Sequence, residues 1–131
     1  MALSMIEGAE KKGLLTKGMS VVEYSGGSTG AGLAFVCAIK GYRFRLITAD
    51  VFGKEKIGLM RALGADLEVI KSEDGKITKE LIGKMIERAE EISVEPDTFF
   101  TDQLNNMDVI EGFVPLGDEI LQQLDGKVDA V

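Results

Sequence analysis

The chain reads as an α/β fold: a three-layer αβα arrangement around a parallel sheet of about four strands, Rossmann-like in layout. Two observations lead there. Short β-branched runs alternate with longer stretches whose apolar residues recur at helical spacing. Two polar loops, Ser25–Thr29 and Asp102–Asn106, each follow a strand-like run, which places them at strand C-terminal ends. Ligands on parallel sheets bind beyond those ends, where the strand order reverses.

Taken in order, residues Ala2 to Lys12 read as a helix, with Leu3, Met5, Ile6 and Ala9 on one face and Gly13 as its cap. It opens at Met1 with no lead-in, the expected appearance of a chain that starts inside a larger architecture. Met19 to Tyr24 is a strand. The glycine-rich turn Ser25-Gly26-Gly27-Ser28-Thr29-Gly30 follows, and Thr29 to Lys40 is a helix ending at Gly41. That helix is apolar almost throughout, so it is expected to be buried on more than one side. Phe44 to Ala49 is the next strand, with Asp50 at its end. Gly53 to Leu63 is a helix with Ile57, Met60 and Leu63 inward, closed by Gly64.

Leu67 to Ile70 is a short strand, and Lys71 to Lys76 a polar loop. Thr78 is placed to N-cap a helix reaching about Ile92, with Glu80 in its first turn. Its stripe of Leu81, Ile82, Met85, Ile86, Ala89 and Ile92 is helical in period. After Pro96, Thr98 to Thr101 is a short strand. Two helical pieces are expected beyond it, broken near Pro115, the second from about Gly117 to Leu124. Val128 to Val131 reads as the opening of another strand. The expected strand order is 3-2-1-4, which brings the two polar loops into one crevice.

Composition bounds the function. The 131 residues match one ordinary domain, with 45% hydrophobic and 28% charged residues. A net charge of −7 without a basic cluster argues against a nucleic-acid surface. There is no histidine and one cysteine, which excludes an internal disulfide, the usual zinc sites and histidine-based triads. Cys37 sits in an apolar helix and reads as a core thiol. No run has the length of a membrane span, and charges near the N-terminus interrupt any signal peptide, so the cytoplasm is the default.

The glycine turn has two readings. Helix-start N–H groups favour an anion, and the hydroxyls of Ser25, Ser28 and Thr29 add donors. Gly26, Gly30 and Gly32 fit the G-x-x-x-G-x-G spacing of short-chain dehydrogenases, with Asp50 placed to hold a ribose of NAD(P). The Tyr-x-x-x-Lys pair of that family is missing, because Ser28 and Leu46 stand four residues after Tyr24 and Tyr42. Asp50 also reads as a loop cap.

The second reading is a resemblance to the cysteine synthase family of pyridoxal-phosphate enzymes, with its tryptophan synthase β-like fold. The family loop Glu-Pro-Thr-Ser-Gly-Asn-Thr-Gly-x-Gly-Leu-Ala is similar to Glu23-Tyr24-Ser25-Gly26-Gly27-Ser28-Thr29-Gly30-Ala31-Gly32-Leu33-Ala34. The likeness runs on through Lys40-Gly41-Tyr42, through Lys54-Glu55-Lys56 and Met60-Arg61-Ala62-Leu63-Gly64-Ala65, and through Asp102-Gln103-Leu104-Asn105-Asn106. It reaches Leu116-Gly117-Asp118-Glu119-Ile120 and Gly126-Lys127-Val128-Asp129-Ala130, so it covers nearly the whole chain.

The resemblance implies pyridoxal 5'-phosphate as cofactor of the complete enzyme and β-elimination or β-replacement on a small amino acid. It implies that Ser25, Gly26 and Thr29 grip the substrate carboxylate with Gln103, and that Gly27 and Ser28 face the cofactor. Ser28 replaces the family's asparagine, and Tyr24 and Ser25 its proline and threonine. The family's Schiff-base lysine would fall before Met1 and its phosphate loop after Val131. Lys17, Lys40, Lys54 and Lys56 read as solvated charges. The expectation is a smaller, mobile, substrate-binding domain covering residues 1–131, inactive alone. It would expose an apolar patch near the sheet's C-terminal edge for the large domain or for self-association. A non-catalytic binding remnant is the other form of this reading.

Overall fold

A computed structural model describes residues 1–130. Four parallel strands form one sheet: β1 (Ser20–Tyr24), β2 (Arg43–Ala49), β3 (Asp66–Ile70) and β4 (Thr98–Phe100), in the order β3-β2-β1-β4. This is the expected order. Strand β1 is central, with Val21 opposite Phe44 on one side and Phe99 on the other. The next strand in the chain, β2, lies on one side of it and the last, β4, on the other, so the end of β1 is the switch point of the topology.

The helices are α1 (Ala2–Lys11), α2 (Ser28–Lys40), α3 (Lys54–Ala62), α4 (Lys79–Ser93), α5 (Asp108–Glu111) and α6 (Val114–Gln123). Alternation along the strands divides the core in two. Val21, Phe44 and Leu46 face α1, α2 and α3 through Met5, Ile6, Leu33, Cys37 and Met60. Val22 and Ile47 face α4 through Leu81, Met85, Ala89 and Ile92. The three layers are therefore helices, sheet and helix, with the stripe read from the sequence buried on α4.

Local chemistry sets the helix ends. Thr78 Oγ1 accepts the Leu81 N–H at 3.1 Å, the expected N-cap. Gly41 closes α2 at φ +77, a left-handed value that costs glycine little.

Helix α2 lies on the sheet between α1 and α3 and is buried on more than one side, as expected, while Phe35 and Ile39 stand exposed on its outer side. Nothing among the described residues packs on that outer side. Two expectations are corrected. The break expected near Pro115 falls instead at Gly112–Phe113, and Pro115 lies in the first turn of α6, where its missing N–H has no partner to lose. Residues 128–130 form no strand, since no ladder partner lies beside them, and Val131 is outside the described residues.

Exposed apolar side chains do gather after β4. Leu104 and Met107 are 75% and 68% exposed beside the sheet's C-terminal end, and Ile110, Phe113, Val114 and Leu116 extend the patch along α5 and α6. Phe113, Leu116, Ile120, Leu121 and Val128 line an apolar hollow there.

Helix α5 is fastened to α1 by a buried carboxylate. Asp108 is 7% exposed and accepts from Lys12 Nζ at 2.7 Å. Its carboxyl group lies over Gly8, where a Cβ would stand 2.3 Å from Oδ2. A Gly8→Ala substitution must push that carboxylate out of its ion pair. We expect it to cost about 1–3 kcal/mol, read as a lower urea midpoint at unchanged slope.

Cys37 gives a second check. The thiol is 1% exposed, and burial pushes its pKa up to about 12. At pH 8 roughly one thiol in ten thousand is then ionised. Alkylation of the native chain should be slower than that of the urea-unfolded chain by more than a hundredfold.

Candidate functional site

Two loops build the candidate site, one after β1 and one after β4. Ser25 is the hinge of the first. It is buried, and its N–H still donates to the Ile47 carbonyl at 2.9 Å, as if the strand continued. Its hydroxyl oxygen then accepts the N–H groups of Gly27 and Gly30, at 3.2 and 3.1 Å. The side chain of Ser25 thus folds the turn back on itself at the start of α2.

Helix α2 has no side-chain bond at its N-cap, Gly27. With Gly27 and Gly30 turned to Ser25, the N–H groups of Ser28 and Thr29 have no partner among the described residues. They are the orphan donors of a helix start, at its positive end. Ser28 is exposed at the mouth of the loop, and Thr29 is 9% exposed beneath it.

The glycines are needed here for space rather than for a left-handed backbone. Gly26, Gly27 and Gly30 do not have positive φ. A Cβ on Gly26 would stand 2.1 Å from the Phe52 ring, and one on Gly30 would meet Met60 Sδ at 2.9 Å. Gly30 lets α2 settle on β2 and α3. Gly26 lets Phe52, from the turn after β2, cover the loop. Over Gly27 a Cβ would meet only Lys56 Nζ, at 3.7 Å, so the space above it is open.

The second loop is fixed by its own turn chemistry. Asp102 takes a left-handed φ of +43, which aspartate tolerates better than most residues. Its carbonyl accepts the N–H groups of Asn105 and Asn106, and its carboxylate accepts the Asn105 side-chain amide at 2.9 Å. This turn delivers Gln103 to the first loop. Gln103 Nε2 donates to the Tyr24 carbonyl at 3.0 Å, directly before Ser25.

The sequence-derived residues Ser25, Gly26, Gly27, Ser28 and Thr29 are therefore one continuous loop, with Gln103 against its base. Two contributors escaped the sequence reading. Phe52 had no motif to mark it. Glu23 did have a signal, an acid inside an apolar strand. It is fully buried, and burial raises its carboxyl above the usual carboxylate range, while bonds from Thr101, Tyr24 and Gln103 pull the other way.

Asp50 does not face this loop as a ribose ligand would. Its carboxylate accepts the Ser72 N–H at 2.9 Å, the loop-cap role. Among the described residues no group of three or more candidate metal ligands occurs, and no helix is long and apolar enough to cross a membrane.

The Gly26–Phe52 contact is testable. Gly26→Ala should cost about 1–3 kcal/mol, because the ring must leave its place. Adding Phe52→Ala should recover much of that loss, a coupling that a urea-melt double-mutant cycle would read.

Comparison with known proteins agrees with this geometry. The family model described as pyridoxal-phosphate dependent enzyme matches residues 1–131. The chain is 37% identical over 134 residues to the cysteine synthase of Staphylococcus aureus, covering 99% of this chain and 41% of that protein. Among solved structures, O-acetyl serine sulfhydrylase isoform 3 from Entamoeba histolytica superposes with a TM-score of 0.80 at 31% identity, over 98% of this chain and 37% of that one. An O-ureido-L-serine synthase superposes with a TM-score of 0.79 at 33% identity, over 97% of this chain and 39% of that one. The chain spans about two-fifths of the length of the curated relatives it matches. Matched by that family model along its whole length, the chain belongs to the pyridoxal-phosphate dependent enzyme family.

Proposed function

We propose that these residues are the substrate-gripping domain of a pyridoxal-phosphate enzyme acting on a small L-amino acid by β-elimination or β-replacement. The observation that carries this is the pair of unspent N–H groups at Ser28 and Thr29, set beside the Thr29 hydroxyl and the Gln103 amide. That donor set suits a carboxylate, which is acceptor-only when ionised. The two solved relatives named above share an O-substituted serine in their names, and a serine bearing an oxygen-linked leaving group is the substrate class proposed here.

The residues present fit the cofactor's neighbourhood. Gly27 leaves open space above the loop, and Ser28 next to it is exposed. Pyridoxal phosphate, when bound, supplies the electron sink for chemistry at the amino acid's α- and β-carbons. This chain's part is to hold the substrate: the helix start takes the carboxylate, Thr29 and Gln103 orient it, and Phe52 shields one side of the loop from water. Capture of the carboxylate would draw the domain toward the rest of the enzyme.

The covalent anchor is assigned to residues outside this chain. Each lysine here is exposed except Lys40, which is held by Glu10 at 2.8 Å and Glu7 at 3.4 Å. The 131 residues by themselves should then turn over no substrate. The exposed apolar side of α5 and α6 is where the remainder of such an enzyme would pack.

Calorimetric titration of the chain with L-serine and with L-serinamide tests the reading. L-serine should bind and serinamide should not, because only the first carries a carboxylate. Thr29→Ala should weaken L-serine by about two- to tenfold, the value of one hydrogen bond. Equal binding of both ligands would sink the proposal. So would a single dominant lysine labelled by pyridoxal phosphate and borohydride.

A further inference from the structure

Glu23 is the buried ionisable group that the carboxylate grip leaves unused. It is fully buried on β1, one strand position before Tyr24. Three donors converge on it. Oε1 accepts the Tyr24 N–H at 2.9 Å. Oε2 accepts the Thr101 hydroxyl at 2.6 Å and the Gln103 N–H at 3.0 Å. It forms no ion pair among the described residues, so its charge is answered by hydrogen bonds alone.

Those donors come from two different loops. Tyr24 leads into the glycine turn, while Thr101 and Gln103 belong to the segment after β4. Gln103 is held at two points: its backbone N–H by Glu23, and its side-chain amide by the Tyr24 carbonyl. A carbonyl only accepts, so the Gln103 amide must present nitrogen to it. One N–H of that nitrogen is used there and the other remains for a ligand.

We infer that Glu23 is a positioning residue, whose carboxylate ties the loop after β4 to the glycine loop and so sets the Gln103 amide beside the carboxylate-binding N–H groups. The inference rests on the proposed carboxylate grip and adds to it the part that holds the two halves in register. A neutral amide at position 23 is a poor substitute. Three donors need two acceptor oxygens, and an amide has one. Thr101 can adapt, because its hydroxyl can turn to the Val22 carbonyl at 3.4 Å. The N–H groups of Tyr24 and Gln103 have no such alternative in the structure, and the single amide oxygen meets only one side, so one of these two donors is left facing the amide NH2.

The test has a ligand-free arm and a ligand arm, both on the full chain. In the first, hydrogen exchange of the Tyr24 and Gln103 backbone amides is followed by NMR in wild type and in Glu23→Gln. Protection of at least one of the two should fall by about tenfold or more, as expected for loss of a bond to a charged acceptor. Thr101→Val keeps the carboxylate and removes one donor, so it is the milder variant should Glu23→Gln fold poorly. Its loss at Gln103 should be smaller and in the same direction. Unchanged exchange at both Tyr24 and Gln103 in both variants overturns the inference.

In the second arm, L-serine affinity is measured for Glu23→Gln, Gln103→Ala and the double variant. Each single change should weaken binding several-fold, and the double variant should bind no worse than Gln103→Ala alone. Additive losses would mean that Glu23 does not act through Gln103, and would overturn the inference. If Gln103→Ala leaves affinity intact, the carboxylate reading falls instead, and the exchange result still decides the role of Glu23.

Discussion

The structure depends on β1 being paired on both sides. The chain runs on from it to β2 on one side, while β4 lies on the other, so the strand order reverses at its C-terminal end. That leaves a crevice, and the chain must turn there within a few residues to start α2. Everything proposed for the site follows from how that turn is made. The backbone must approach Phe52 at Gly26 and pack against Met60 at Gly30, while Ser25 supplies the acceptor that holds the turn closed. The remaining N–H groups face outward because the helix geometry gives them nowhere else to go.

Much of this was legible in the residues. The order of the four strands follows from the alternation of β-branched and helical stretches with short connections, and the α4 stripe from its period. The glycine loop and the Asp102–Asn106 loop were marked by composition and by collinear resemblance. The errors have physical sources. Apolarity reports what a helix can bury and not which side stays open, so the exposure of Phe35 and Ile39 on the outer side of α2 carried no mark in the sequence. Pro115 looked like a break because a proline interrupts a helix interior, yet in a first turn it removes nothing. The contacts of Glu23 and Phe52 were hidden because they join segments roughly 80 and 26 residues apart, and sequence periodicity describes only near neighbours.

A chain with net charge −7 is an unpromising host for an anion. The resolution lies in range. Screening in ordinary salt leaves distant surface charges little influence beyond about 8 Å. At the loop itself the local groups are N–H dipoles, hydroxyls, an amide and, over Gly27, the Lys56 ammonium. Glu23 is close, but its two oxygens are covered by three donors. The proposed binding would come from short-range directed donors, which favour a carboxylate over a neutral amide of the same shape.

The two readings of the glycine loop then have a common cause. A dinucleotide site and a carboxylate site both ask for a tight strand-to-helix turn with small residues and free N–H groups. Spacing of glycines therefore reports the turn and not its ligand. The discrimination comes from elsewhere in the chain. A ribose-binding acid would have to be free, and Asp50 is occupied by the Ser72 N–H. A carboxylate grip profits from a second loop bearing an amide, and Gln103 stands beside Ser25 through Tyr24 and Glu23. The loop after β4, with its left-handed Asp102 and its tie to a buried acid, carries more information about function than the glycines that first drew notice.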